Sequence, residues 1–325
     1  MSLSTQSCAH PPLPIPDTAE GRPRKLGVEV EFTGLPEEVA AKVWARSTGG
    51  SVRQDGAAWI CDTAPFGACR FYLDTKYRDD LDRLGNDIAL GAARMVVPVE
   101  LVSDPFDPAH LPAFDAGLGA LRTAGAEGTG ASVMYGFGVH LNVEIARRDG
   151  DHVARVATSF ALLEPLLREV IGIDVSRRVL PFVDPYPRAM VTALANADAM
   201  DIAALADIGL DHTTSRNHGL DLLPIFAECA PDAVRRNVDP KTKITARPAY
   251  HYRLPESRID RDGWGLAGAW RLWRAIEGVA GHDAALSALK DGWRDWSSDP
   301  HLTRDSWVSA ARDILKTYGI VLEAS

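Results

Sequence analysis

Apolar and polar residues alternate through Lys25-Leu26-Gly27-Val28-Glu29-Val30-Glu31-Phe32, with Leu26, Val28, Val30 and Phe32 in one phase and Gly27, Glu29 and Glu31 in the other. A two-residue period of this kind predicts a strand. Pro36 then opens a helical pattern through Val39, Val43 and Trp44. Gly49-Gly50 and Asp55-Gly56 are turn signals, and Cys69-Arg70-Phe71-Tyr72-Leu73-Asp74 reads as a strand. Leu81, Leu84 and Ile88 predict a helix, the apolar run from Met95 to Val102 a strand, and Leu111, Phe114, Leu118 and Leu121 a further helix. Tyr135 to Ile145 is again strand-like, and Val153, Val156, Phe160, Leu163, Leu167 and Val170 mark an amphipathic helix. A helix is expected through Met190–Ile208, then a loop rich in His, Arg and Asn, then a late strand over Ala249–Leu254. From Trp264 to the end the pattern is helical.

Strands interspersed with helices, some joined by short turns, point to an α+β fold on an antiparallel sheet. A Rossmann-like winding is disfavoured, because the second and third strands follow one another without a helix. Pro11, Pro12, Pro14 and Pro16 lie in a polar stretch, so residues 1–24 are expected to be an extended or disordered arm. No internal repeat and no linker follows, which makes 25–325 one domain. Trp264, Trp270, Trp273, Trp293, Trp296 and Trp307 crowd the last part of the chain, which is therefore expected to pack as large aromatic helices.

Composition narrows the partners. A net charge of −9 offers no broad cationic surface for nucleic acid or anionic membrane. No stretch approaches the roughly 20 apolar residues of a membrane span, and the N-terminal residues have no apolar core of the signal-peptide kind. Cys8, Cys61, Cys69 and Cys229 form no Cys-x-x-Cys pair and read as reduced thiols, so a cytoplasmic location is expected. There is no P-loop, no His-Glu-x-x-His and no Gly-x-Ser-x-Gly. One Gly-x-Gly-x-x-Gly occurs at Gly263, Gly265 and Gly268, but its strand lies eight residues away, and we read it as a closely packed helix start.

The informative feature is polar chemistry inside strands. Glu29 and Glu31 share one face, where they either meet solvent on an edge strand or are neutralised by a cation or by Arg and Lys. Glu100 interrupts an apolar run, His140 and Asn142 alternate with Val139, Leu141 and Val143, and His251 and Arg253 alternate with Tyr250, Tyr252 and Leu254. Each histidine alone also fits a hydrogen-bonded strand residue. Together these side chains suit Mg²⁺ or Mn²⁺ bridging nucleotide phosphates, with an arginine on the transferring group.

Gly27-Val28-Glu29-Val30-Glu31-Phe32 resembles the first-strand Glu-x-Glu of the carboxylate–amine ligase superfamily, which includes glutamine synthetases and glutamate–cysteine ligases. Glu100-Leu101-Val102-Ser103-Asp104-Pro105-Phe106 is similar to its second acidic strand, and Gly138-Val139-His140-Leu141-Asn142 to its His-x-polar strand. His251-Tyr252-Arg253-Leu254-Pro255 stands where the late Glu-x-Arg or Phe-x-Arg strand falls, and Arg216 to Pro224 resembles the intervening arginine segment. Within the superfamily the chain most resembles the bacterial amidoligase branch, in order from about residue 24 to 275.

The resemblance implies a glutamine-synthetase-type sheet with helices on one face, and ATP with Mg²⁺ or Mn²⁺. It also implies amide formation through an acyl phosphate, from small-molecule or peptide acids and amines. It casts Glu29, Glu31, Glu100 and His140 as metal ligands, and Arg253, His140 and Glu100 as catalytic. Arg253, Asn142 and His251 would contact the nucleotide, and Arg216 a substrate carboxylate. His251 departs from the acid found in glutamine synthetases two residues before the arginine, and Asp221 stands where Asn is commoner. A guanidino-type phosphotransferase, a metal-dependent hydrolase and a non-catalytic nucleotide- or metal-binding scaffold remain alternatives, and homo-oligomerisation stays open.

Overall fold

The computed structural model describes residues 9–73, 97–129, 137–173, 183–299 and 303–323. The helix expected around Leu81, Leu84 and Ile88, the start of the strand at Met95 and Val96, and Tyr135 lie outside these residues. Eight strands form one open sheet: β1 (Leu26–Phe32), β2 (Ser51–Asp55), β3 (Ala58–Thr63), β4 (Gly67–Leu73), β5 (Val99–Ser103), β6 (Val139–Glu144), β7 (Leu220–Asp221) and β8 (Ala249–Tyr252). Their order is β2-β3-β4-β5-β1-β6-β8-β7, and every ladder is antiparallel.

The helices are α1 (Glu37–Thr48), α2 (Leu111–Thr123), α3 (His152–Ile171), α4 (Arg188–Asn196), α5 (Ile202–His212), α6 (Leu223–Cys229) and α7 (Pro231–Asn237). Three more close the chain: α8 (Ala267–Ala280), α9 (Asp283–Ser298) and α10 (Arg304–Thr317). The expected helix through Met190–Ile208 is two helices, α4 and α5. The cause is Asp201, whose carboxylate accepts from Ala204 N at 2.8 Å and caps a new helix instead of continuing the old one.

The apolar phase of each strand forms the core. Leu26, Val28, Val30 and Phe32 of β1, Leu101 of β5, Leu141 and Val143 of β6, and Tyr250 and Tyr252 of β8 are fully buried. Beneath β3 and β4, Trp44 of α1 meets Phe71 and Phe114 with ring centroids 6.2 and 4.8 Å apart. Beneath β8, Trp273 of α8 lies 4.9 Å from Tyr250 and 5.5 Å from Tyr252. Helix α3 was expected to be amphipathic, yet it is buried on most of its circumference, because α4, α8, α9 and α10 all pack on it. Its length allows this central position (about 30 Å at 1.5 Å per residue).

Residues 9–24 run against α8 without regular structure. Pro11 O accepts from Trp270 Nε1 at 2.7 Å, and Arg24 makes a two-pronged ion pair with Glu277 at 2.9 and 2.7 Å. Both partners of that pair are buried, and Trp273 Nε1 donates to Glu277 as well. The apolar phase packs on α1 and α8, and the polar phase projects from the opposite side of the sheet.

Candidate active site

Strand register decides which polar side chains meet. Glu29 stands opposite His140 on β6, Glu31 opposite Glu100 on β5, and Asn142 opposite both Gly27 on β1 and His251 on β8. His251 in turn stands opposite Asp221 on β7. Side chains in one phase of an antiparallel sheet share a face, so Glu29, Glu31, Glu100, His140, Asn142, His251 and Asp221 all project from the side away from the core. Arg253 lies in the same phase, one residue past β8. Its Nη1 donates to the carbonyl of Arg216 at 2.6 Å.

Two hydrogen-bonded groups lie side by side on the face. Glu29 Oε2 accepts from His140 Nδ1 at 2.7 Å, and Glu29 Oε1 from Asn142 Nδ2 at 2.8 Å. Asn142 Oδ1 accepts from Arg247 Nη2 at 2.7 Å, which fixes the amide with its NH₂ toward Glu29. On the far side Asp221 takes His251 Nδ1 at 3.3 Å, Arg216 Nε at 3.0 Å and Leu223 N at 3.0 Å. Arg216 also donates to Lys243 O at 2.7 Å. Glu31 is tied to the start of β6 by Gly138 N at 2.7 Å. A Cβ at Gly138 would lie 2.8 Å from His140 Nε2, so glycine there makes room for the imidazole.

The electrostatics follow from burial and pairing. Burial alone would raise the Glu29 carboxyl, but the hydrogen bond from His140 and the neighbouring His251 ring outweigh it and hold Glu29 well below the usual carboxylate range. Asp221 is likewise held low against its burial by His251 and Arg216. Burial pushes His140 down to about 4, against the pull of Glu29. His140 is therefore a neutral imidazole near neutral pH, with the proton on the nitrogen that faces Glu29.

Among the described residues, Glu29, His140 and His251 form one group able to offer a metal one ligand atom each. Glu31 and Glu100, expected as ligands with Glu29 and His140, pair across β1 and β5 beside that group. Sequence reasoning missed Arg247, which reaches the face from an irregular segment with no periodicity to betray it. It noted Asp221 only as a departure, since a two-residue strand is too short to show a phase.

An antiparallel sheet bearing acids, imidazoles and guanidinium groups on one face is a setting suited to ligand chemistry. The chain belongs to the amidoligase family: the family model described as "Putative amidoligase enzyme" matches residues 22–275. It is therefore a ligase-type enzyme, and the matched stretch contains every residue of the face described above. Among curated proteins, none matches the chain. No helix among the described residues is long and apolar enough to cross a membrane.

Proposed function

We propose that this amidoligase is an ATP- and divalent-metal-dependent carboxylate–amine ligase. The observation that carries this reading is the gathering of Glu29, Glu31, Glu100, His140 and His251 on one face of the sheet, with Arg253 in the same phase. Carboxylates so close together on a face repel unless cations neutralise them, and buried His251 Nε2 makes no hydrogen bond to the described protein. The donor set therefore fits a divalent cation. Such a cation, Mg²⁺ or Mn²⁺, would neutralise phosphate oxygens and bring ATP to the face, with Glu29, Glu31, Glu100 and His140 available to hold it.

The reaction is acyl transfer driven by phosphoryl transfer. A carboxylate oxygen of the acid substrate attacks the γ-phosphorus of ATP, and the bond to the bridging oxygen breaks as ADP leaves. The amine nitrogen then attacks the acyl carbon, phosphate departs with the C–O bond electrons, and the nitrogen loses a proton. Arg253 is a permanent cation that spreads charge away from the γ-phosphoryl oxygens as they separate. Asn142, held by Arg247, presents a fixed polar group to the nucleotide. Arg216 retains N–H donors beyond those given to Asp221 and Lys243 O, and these suit a substrate carboxylate. The acids and amines in view are small molecules or peptide ends.

Phosphate release from ATP is measured against a panel of acids and amines, singly and paired. Release that requires both partners, with an amide in the product, is the expected result. A phosphorylated product without an amide would replace the ligase with a phosphotransferase. In the productive pair, Arg253→Lys should keep its fold and nucleotide binding and lose turnover by roughly 10²-fold or more. A destabilised variant with full activity per folded molecule would remove Arg253 from the chemistry.

A further inference from the structure

His251 stands where the resemblance leads one to expect an acid, and its surroundings indicate what it does instead. It is 6% exposed. Its Nδ1 faces Asp221 Oδ2 at 3.3 Å, and Asp221 is an acceptor from Arg216 and Leu223 as well, so the proton sits on Nδ1 and the lone pair on Nε2. That Nε2 is buried, makes no hydrogen bond to the described protein, and lies 3.7 Å from Glu29 Oε2. Glu29 Oε2 already accepts from His140. Two acceptors thus face each other at a buried place, an arrangement that is unfavourable by itself and is completed by a cation rather than by a hydrogen bond.

We propose that Glu29, His140 and His251 form a nitrogen-rich metal centre that selects a borderline transition ion, of the Mn²⁺, Fe²⁺, Co²⁺ or Zn²⁺ class, over Mg²⁺, with Asp221 aiming His251 and the His140 proton passing from Nδ1 to Nε2 so that Nδ1, beside Glu29, is the ligand atom. This rests on reading the face as a divalent-cation site. Mg²⁺ is a hard ion that keeps its waters and takes oxygen ligands, whereas imidazole suits the first-row transition ions. Two of the three ligands here are imidazoles. A histidine that binds metal typically donates its other N–H to a carboxylate or carbonyl, which fixes the tautomer and the ring, and Asp221 supplies that partner. Replacing His251 by an acid would add an oxygen ligand and a charge, moving the centre back toward Mg²⁺.

The test uses the full chain stripped of metal and titrated calorimetrically with Mg²⁺ and with Mn²⁺. The wild type should bind Mn²⁺ about 10²-fold more tightly, or better, and His251→Glu should narrow that ratio by about tenfold. Electron spin-echo spectra of the Mn²⁺-loaded wild type should show modulation from imidazole nitrogen, reduced in His251→Gln. An unchanged ratio in His251→Glu, or no imidazole modulation in the wild type, overturns the proposal. Should the crowding of Glu beside Glu29 and Asp221 unfold His251→Glu, the wild-type spectra decide alone. A working ligase whose metal carries no imidazole refutes this centre and leaves the ligase reading standing. A selective centre in a protein that joins no acid to any amine does the reverse.

Discussion

His140 couples the stability of the fold to pH. The unfolded chain takes up a proton on this imidazole near 6.5, the folded chain not until about 4. Between those values the unfolded state binds more protons, so stability falls as pH drops through the window. Glu29 acts in the same direction, since a carboxyl held low when folded contributes stability that is lost as pH falls through its folded value. The metal-free protein should therefore lose roughly 3 kcal/mol between pH 6.5 and 4 through His140. Urea midpoints measured across that range should drop steeply for the wild type and less steeply for His140→Gln. A wild-type midpoint that does not move would contradict a buried neutral His140.

Between elements, packing overrides local preference at Gly117 in the middle of α2. An alanine would favour the helix by about 0.5–1 kcal/mol. Its Cβ, however, would lie 2.5 Å from Cζ3 of Trp44, a fully buried ring wedged between Phe66, Phe71 and Phe114. Overpacking of this kind costs about 1–3 kcal/mol, so Gly117→Ala should be net destabilising. Thermal unfolding checks the sign, and a rise in Tm would show that α1 and α2 separate easily. The same logic governs the Gly-x-Gly-x-x-Gly stretch. A Cβ at Gly265 would meet Asp115 Cγ at 2.6 Å, and Asp115 accepts from Leu266 N at 2.7 Å as α8 begins. That spacing was legible as close packing because its strand lies too far away for a phosphate loop. The break between α4 and α5 was not legible, since the apolar period continues across it and only the cap at Asp201 interrupts it.

Across the whole molecule, Arg24 and Glu277 join the segment before β1 to the aromatic helix α8. Arg24 also donates to Ile15 O at 2.9 Å and to Glu144 O at 2.6 Å, so one buried guanidinium ties the N-terminal residues, β6 and α8 together. Removing one member leaves the other buried without its partner. Glu277→Gln should therefore destabilise by roughly 3–5 kcal/mol, while Arg24→Met combined with Glu277→Leu should recover much of the loss. Denaturant unfolding of the three proteins separates these outcomes, and a double variant no better than the single one would show that the pair contributes more than mutual neutralisation.

The two-residue alternation of β1, β5, β6 and β8 determined by itself which residues enter the core and which stand opposite them. Period 2 is a local property of extended backbone, so it needs no partner strand to be read. Family membership was legible for a related reason: motifs in fixed order survive as sequence. The resemblance said where an acid was expected, and the sequence recorded His251 in its place. Only the tertiary structure decided the consequence, because register between β1, β6, β8 and β7 sets His251 between Asp221 and Glu29. Register, and the approach of Arg247 from an irregular segment, arise from contacts between residues 30 to 222 positions apart in the chain. No local pattern encodes contacts of that range, and it is they that turn a row of polar strand residues into one site.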